Sequence, residues 1–348
     1  MRLFSLMLCC LFLGLLGRGE DVQAQKVLTP RRPIPALVKA QTVLVRVVVN
    51  DQFTNPKPLL EIITNRFHEL HFKVVTDPTQ PHDVGVVFSC QEASGSFLNS
   101  SLLHPPSEPP CFFHYIYHGT PIEWQRIDTI VFNEGILAIK RVSFFPPTRE
   151  PFPQSVRYLQ VFDFPLLLAA EWGQVHRLLR ALDHTETPLR QKRKILNLLG
   201  VIQAESAIPR LLQALHEPEL IVPALHALGH FGARVRPALV QTLQTSTDPT
   251  VQAAAVKSLG QIGARTGDTS VTPLLLTFLT DPTTPIHVKI EIVWALGKAP
   301  DFRAFPALKR LEEEIWLKHS QDPALQQLRK AVDWSIREVR QGGHTDDY

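Results

Sequence analysis

Four groupings in the sequence carry side chains capable of chemistry. His216 and Glu217 adjoin in the stretch ALHEPEL. An imidazole can ligate a metal and a carboxylate can ligate or take up a proton, so the pair is a candidate dyad. His226 and His230 stand at i and i+4 in ALHALGHFG. That spacing can present two imidazoles to one zinc ion. His68, Glu69 and His71 crowd the end of PKPLLEIITNRFHELHF. Cys90 and Cys111 form the fourth grouping. None of the histidine sets is complete. No glutamate base lies between His226 and His230, and no third ligand is evident. One His-Glu pair cannot supply the ligands an iron centre needs. The chain has no G-x-S-x-G, P-loop, G-x-G-x-x-G or H-E-x-x-H signature. No catalytic, cofactor-binding or metal-ligating residue is assigned.

The elements that must position these residues begin with a leader. Arg2 is followed by an apolar, Ser- and Gly-containing run from Leu3 to Leu16. That run is shorter than the roughly 20 residues a membrane helix needs. It fits a secretory signal, and VQA before Gln25 is a small-residue cleavage site. Cleavage after Ala24 is expected, making residues 1–24 a signal peptide and the protein exported, periplasmic or extracellular. A lipoprotein signal at Cys9 or Cys10 is the alternative, but the residues before them are Leu8 and Cys9 where a small residue is wanted. No later segment is apolar for long enough to span a membrane. The formal net charge of +3 argues neither for nor against nucleic acid. The partner assigned is a protein, with no nucleic acid and no cofactor. After cleavage only Cys90 and Cys111 remain of the four cysteines. In an oxidising compartment they are a disulfide candidate, closing a loop of about 20 residues worth ~3 kcal/mol. Two free thiols are the alternative.

Residues 25–40 are basic and proline-bearing, and read as an extended leader. TVLVRVVVN, from Thr42, reads as a strand. Leu59, Ile62, Ile63, Phe67 and Leu70 recur at helical spacing. KVV and DVGVVFSC read as the next strands, with turn chemistry between them. Residues 91–110 form a long polar, proline-rich loop, and CFFHYIYH resumes as an aromatic strand. RIDTIVF and ILAIKRVSFF, joined by NEG, read as a hairpin. A small α/β domain is expected over 41–164. Its segmental order resembles the small exported α/β domains of bacterial envelope lipoproteins of unknown function.

The second half repeats. Leu199–Gly200, Leu228–Gly229, Leu259–Gly260 and Leu296–Gly297 are each followed by a proline, Pro209, Pro237, Pro273 and Pro306. The Leu-Gly pairs recur at intervals of roughly 30 to 37 residues, the mark of a solenoid. Apolar residues three and four before each leucine, and three after, make one helix face. The proline suits the first turn of a second helix. Asp248–Pro249 and Asp281–Pro282 mark crossings between repeats, and Glu217–Pro218 is a weaker copy of them.

These segments resemble the HEAT-repeat family in its short form, called HEAT-like or PBS-lyase-type, from about Leu166 into the early 340s. The resemblance implies an all-α solenoid of about five units over 165–341 with a flexible tail, 342–348. The overall class is therefore α+β. The first unit lacks the proline, and the last helix, LQQLRKAVDWSIREVR, lacks Leu-Gly, as capping units do. Deoxyhypusine hydroxylases in this group surround two irons with several His-Glu pairs, whereas this solenoid has one. Bilin lyases use similar repeats on cytosolic antenna proteins, a setting the leader argues against. The fourth residue after each repeat proline is polar: Gln213, Gln241, Thr277 and Arg310. With His216 they are the candidate partner-binding ridge, expected on the inner face of the stack. Trp172, Trp294, Trp316 and Trp334 are expected in the core or caps. The function read is a non-catalytic scaffold or adaptor for protein partners. The alternative is an enzyme or small-ligand module built on the N-terminal domain's aromatic strands and long loop.

Overall fold

The computed structural model describes residues 32–49, 55–90, 111–122, 129–132, 135–138, 159–160, 163–317 and 322–342. The signal-like segment, the loop 91–110 and the end of the tail, 343–348, lie outside them.

The α/β half opens with a short helix, α1 (Pro35–Val38), then β1 (Thr42–Val49), α2 (Lys57–His68), β2 (Lys73–Val75), β3 (Val84–Cys90), β4 (Cys111–Tyr117) and β5 (Thr120–Ile122). The five strands form one sheet in the order β2-β1-β3-β4-β5. β1 is parallel to β2 and β3, and β4 is antiparallel to its neighbours. β6 (Thr129–Phe132) and β7 (Gly135–Ala138) pair separately, antiparallel, with Phe132 opposite Gly135. The hairpin read at NEG is present. β5 is an element the sequence reading lacked. It follows a two-residue turn in which His118 and Gly119 both have positive φ, 47° and 75°. Such turns match the twist of the strands they join.

One sequence reading changes here. The end of the 25–40 leader is not extended: Pro35–Val38 is helical, and Leu37 and Ala40 are buried in the core. Four residues are too few to show a helical period. Register explains the sheet's burial. Val43, Val45, Val84, Val86 and Tyr115 share one face, since residues paired across strands point the same way, and all are at most 1 % exposed. α2 packs against β1 and β2 through Leu59, Ile63 and Phe67.

The helical half comprises α3 (Phe164–Glu171), α4 (Val175–Asp183), α5 (Leu189–Val201), α6 (Ile208–Ala214), α7 (Ile221–Leu228), α8 (Arg236–Thr245), α9 (Pro249–Thr266), α10 (Thr272–Thr280), α11 (Ile286–Lys298), α12 (Phe305–Trp316) and α13 (Pro323–Gly342). Among the described residues this is five helix pairs and a closing helix. Pro209, Pro237, Pro273 and Pro306 each fall in the first turn of a second helix, as read. Asp248 caps α9, accepting from Thr250 N at 2.7 Å. Asp281 instead closes a turn onto Thr283 N at 2.8 Å, and α11 starts later, at Ile286.

The first helices α5, α7, α9, α11 and α13 pack directly against one another in series, while each second helix seats against the first helix that follows it. The Leu-Gly pairs explain that tight layer. A Cβ on Gly200 would stand 2.7 Å from Ala227 Cα, and one on Gly260 would stand 2.8 Å from Ala295 Cα. Glycine is thus required where one backbone crosses the next, as small residues are wherever helices approach closely. The ridge residues lie on the second helices, outside this layer.

The two halves share one continuous hydrophobic core. All eight residues of α3 are buried, as for a helix that is apolar on every side. Trp172, fully buried, meets Phe72 edge-on at 5.8 Å and Tyr115 at 5.9 Å, while Phe164 meets Phe67 at 5.5 Å. Polar bonds lie within this junction. Gln174 Nε2 donates to the carbonyls of Leu37 and Ala40 at 2.8 and 2.9 Å. Arg177, 3 % exposed, donates to the carbonyls of Leu70 and His71 and lies over the Phe72 ring at 3.9 Å. The Tyr115 hydroxyl donates to Glu171 at 3.0 Å, and burial, with Glu171 beside it, pushes the phenol's pKa up.

Candidate functional site

The structure places Gln213, Gln241, Thr277 and Arg310 on α6, α8, α10 and α12, all four exposed at equivalent turns. Thr277 turns its hydroxyl to the Leu274 carbonyl at 2.7 Å. His216 is exposed beyond the end of α6. Its neighbour is not free to act with it: Glu217 accepts from Arg210 Nη1 at 2.7 Å, and Arg210 Nε reaches Asp183 at 2.6 Å. Arg210 thus links Asp183 of the preceding helix pair to Glu217, and Glu217 does not form a dyad with His216. Of the tryptophans, Trp172 is core, Trp294 and Trp334 are half-buried with their rings tilted against each other, and Trp316 is 66 % exposed against expectation.

His226 and His230 are half-buried on α7 and the turn after it. Burial pushes the His226 pKa down to about 4, with Lys257 adding to the effect. Burial also pushes His230 down to about 4, with Arg265 and His226 adding. Two neutral imidazoles beside two cations are poor hosts for a divalent ion. Among the described residues no group of three or more His, Cys, Asp or Glu is placed to hold a metal. The shifts have a consequence for acid stability. The folded pKa values lie below the unfolded value of 6.5, so between the two the unfolded chain binds more protons. Their contribution is present above pH 6.5 and is lost as the pH falls toward 4. At about 1.4 kcal/mol per pKa unit, protonating the first imidazole withdraws on the order of 3 kcal/mol. Urea unfolding at neutral and mildly acid pH should show this loss in the native chain and a smaller loss in a His226→Gln/His230→Gln variant.

A cleft of about 400 Å³ lies at the junction between the end of α2 and the helices α4 and α5. It is lined by Arg66, His68, His71, Arg177 and Arg180, with Glu69 and Glu186 among its other residues. Two of its arginines already serve the fold. Arg66 pairs with Glu69 and with buried Asp163, and Arg177 holds two backbone carbonyls and Gln41. Asp163 also accepts from Lys194 at 2.5 Å and Gln191 at 3.0 Å. This polar set was not legible in the sequence, because Arg66 and Asp163 are 97 residues apart. Cys90 and Cys111 are paired directly across β3 and β4.

A stack of helix pairs with glycine crossings, closed at one end by a small α/β domain and at the other by a long amphipathic helix, defines an α-solenoid protein. The HEAT-repeat family model matches residues 208–285 and 236–318. Residues 208–318 are thus HEAT repeats within a helical C-terminal region, and the α+β organisation read from the sequence is present. Comparison with curated proteins finds no match. Among the described residues no helix is long and apolar enough to cross a membrane.

Proposed function

We propose that this protein is an exported, non-catalytic scaffold that holds a protein partner on the surface of its solenoid. The observation that carries the reading is the set of register-equivalent polar residues, Gln213, Gln241, Thr277 and Arg310, exposed on successive second helices of a HEAT-repeat stack. A ridge of this kind binds by extended contact, one unit at a time, and needs no covalent chemistry. The shared core supports a rigid platform, since the α/β half closes the first end of the stack. Export is supported by the leader: Arg2, the apolar run to Leu16 and the VQA site.

Crosslinking in the native compartment, followed by identification of the partner, tests this. Changing Gln213, Gln241 and Arg310 together to alanine should reduce recovery of that partner. Unchanged recovery would remove the ridge from the proposal.

The same compartment favours a Cys90–Cys111 disulfide. Residues directly opposite in an antiparallel pair have Cα atoms about 4.5–5.5 Å apart, inside the range a disulfide spans. Before reduction, the purified exported protein should resist alkylation at both cysteines, and after reduction both should label. Labelling of both without reductant would show two thiols.

A further inference from the structure

The first-helix layer carries a second stripe that the ridge does not use. On a helix, positions two before and two after the repeat leucine point away from it. In three successive units these are His226 and His230, Lys257 and Gln261, Trp294 and Lys298. Both lysines are exposed. Lys257 acts electrostatically on His226 in the unit before it and on Lys298 in the unit after it, so the basic groups run across units. Arg265 joins them, donating to the His230 carbonyl. Among the described residues, Lys257 and Arg265 form no ion pair, and Glu291 is the carboxylate acting on Lys298. Beyond the lysines, Trp294 and Trp334 present a half-buried indole pair with centroids 5.0 Å apart.

The contrast with the rest of the solenoid is informative. Arg210, Arg234, Arg236, Arg303 and Lys309 each have a carboxylate partner. In this row, among the described residues, Lys257 and Arg265 have no such partner, and Lys298 has Glu291 acting on it. Burial, with the cations beside them, holds both imidazoles below their ordinary pKa values. Folding gains nothing from such a row, whereas carboxylates brought by a partner would relieve it.

We propose that this stripe docks an acidic polypeptide segment, its carboxylates along Lys257, Arg265 and Lys298 and an apolar side chain of the segment on the Trp294–Trp334 pair. The inference deepens the scaffold reading and rests on it. Adjacent helices pack about 8–10 Å apart, and side chains on one face of an extended chain recur about every 6.8 Å, so carboxylates near that spacing can follow the row. Charge favours a peptide over nucleic acid. A nucleic-acid site neutralises roughly 6–10 phosphates. This row is shorter, includes Glu291, and sits on a chain of net charge +3.

The test is fluorescence anisotropy with a labelled glutamate-rich peptide ending in leucine, titrated with the full exported chain. Saturable binding that weakens with added salt is expected. The Lys257→Glu/Lys298→Glu variant, altered only at exposed positions, should keep its circular dichroism and lose affinity about tenfold or more. The Gln213→Ala/Gln241→Ala/Arg310→Ala variant should bind the peptide as the native chain does. No saturable binding, equal binding by the charge-reversed variant, or tighter binding of oligothymidylate than of the peptide would overturn the proposal. If the peptide fails to bind while the native partner still crosslinks, the stripe falls and the scaffold reading stands. If the partner is lost from the ridge variant alone, the two surfaces act separately.

Discussion

Replacing Asp163 with alanine is expected to cost the protein about 3 to 5 kcal/mol of stability, the usual effect of removing one member of a buried charge pair. The carboxylate is 2 % exposed and stands where three elements meet. Arg66 comes from α2 in the α/β half, and Lys194 and Gln191 come from α5 in the solenoid. Its removal takes away the anion that both cations share, at a place where water cannot fully replace it. The effect should exceed that of losing an exposed pair such as Arg234–Glu205, since such surface pairs contribute about 0–1 kcal/mol. Thermal unfolding should register the Asp163 change as a fall in Tm of roughly 10 °C in a chain of this size. Asp163→Asn, which keeps the shape and some hydrogen bonding, should lose less. Equal stability of Asp163→Ala and the native chain would mean that the junction is not held by charge.

Replacing Gly200 with valine should be nearly as damaging, about 3 kcal/mol, by overpacking. The new Cβ would stand 2.7 Å from Ala227 Cα and 2.8 Å from the Ala227 carbonyl oxygen. Both are backbone atoms, so no side chain can rotate away, and α5 and α7 would have to separate. The gain in helix propensity over glycine, about 0.4 kcal/mol, is too small to offset this. Gly232 supplies the control. A Cβ there meets nothing within 4 Å and its φ is −79°, so Gly232→Ala should change stability little. Urea midpoints of the two variants against the native chain give the comparison. A Gly200→Val variant as stable as the native chain would contradict the close crossing.

The two expectations differ in how far they could be read in advance. The Leu-Gly register was visible as a repeat, and with it the helix faces and the proline starts. Its cause was not, because the atom that forbids a side chain at Gly200 belongs to a residue in the next unit. Asp163, Gln174 and Arg177 were less legible still. Their partners in the α/β half are separated from them by 97 residues or more, and no periodic pattern marks a buried polar contact. The stretch LLLAAE read as the start of a first unit lacking the proline, and its run of apolar residues is what a helix wedged between a sheet and a solenoid requires. His226 and His230 were conspicuous as a possible zinc pair. The cations beside them, Lys257 and Arg265, sit on the first helix of the next unit, α9, and only the stacking brings them together. The same stacking turns a set of isolated surface residues into the basic stripe. His216 and Glu217 gave the opposite lesson. Adjacent in sequence, they part in the fold, one facing solvent and the other bound to Arg210.

Hydrogen exchange read by mass spectrometry is the most direct test that the α/β half and the HEAT repeats form one platform. Peptides covering β1, β3 and α3 should show matching protection in the native chain and should lose it together in Asp163→Ala. Strands that exchange freely while α3 stays protected would show two independent bodies and contradict the shared core.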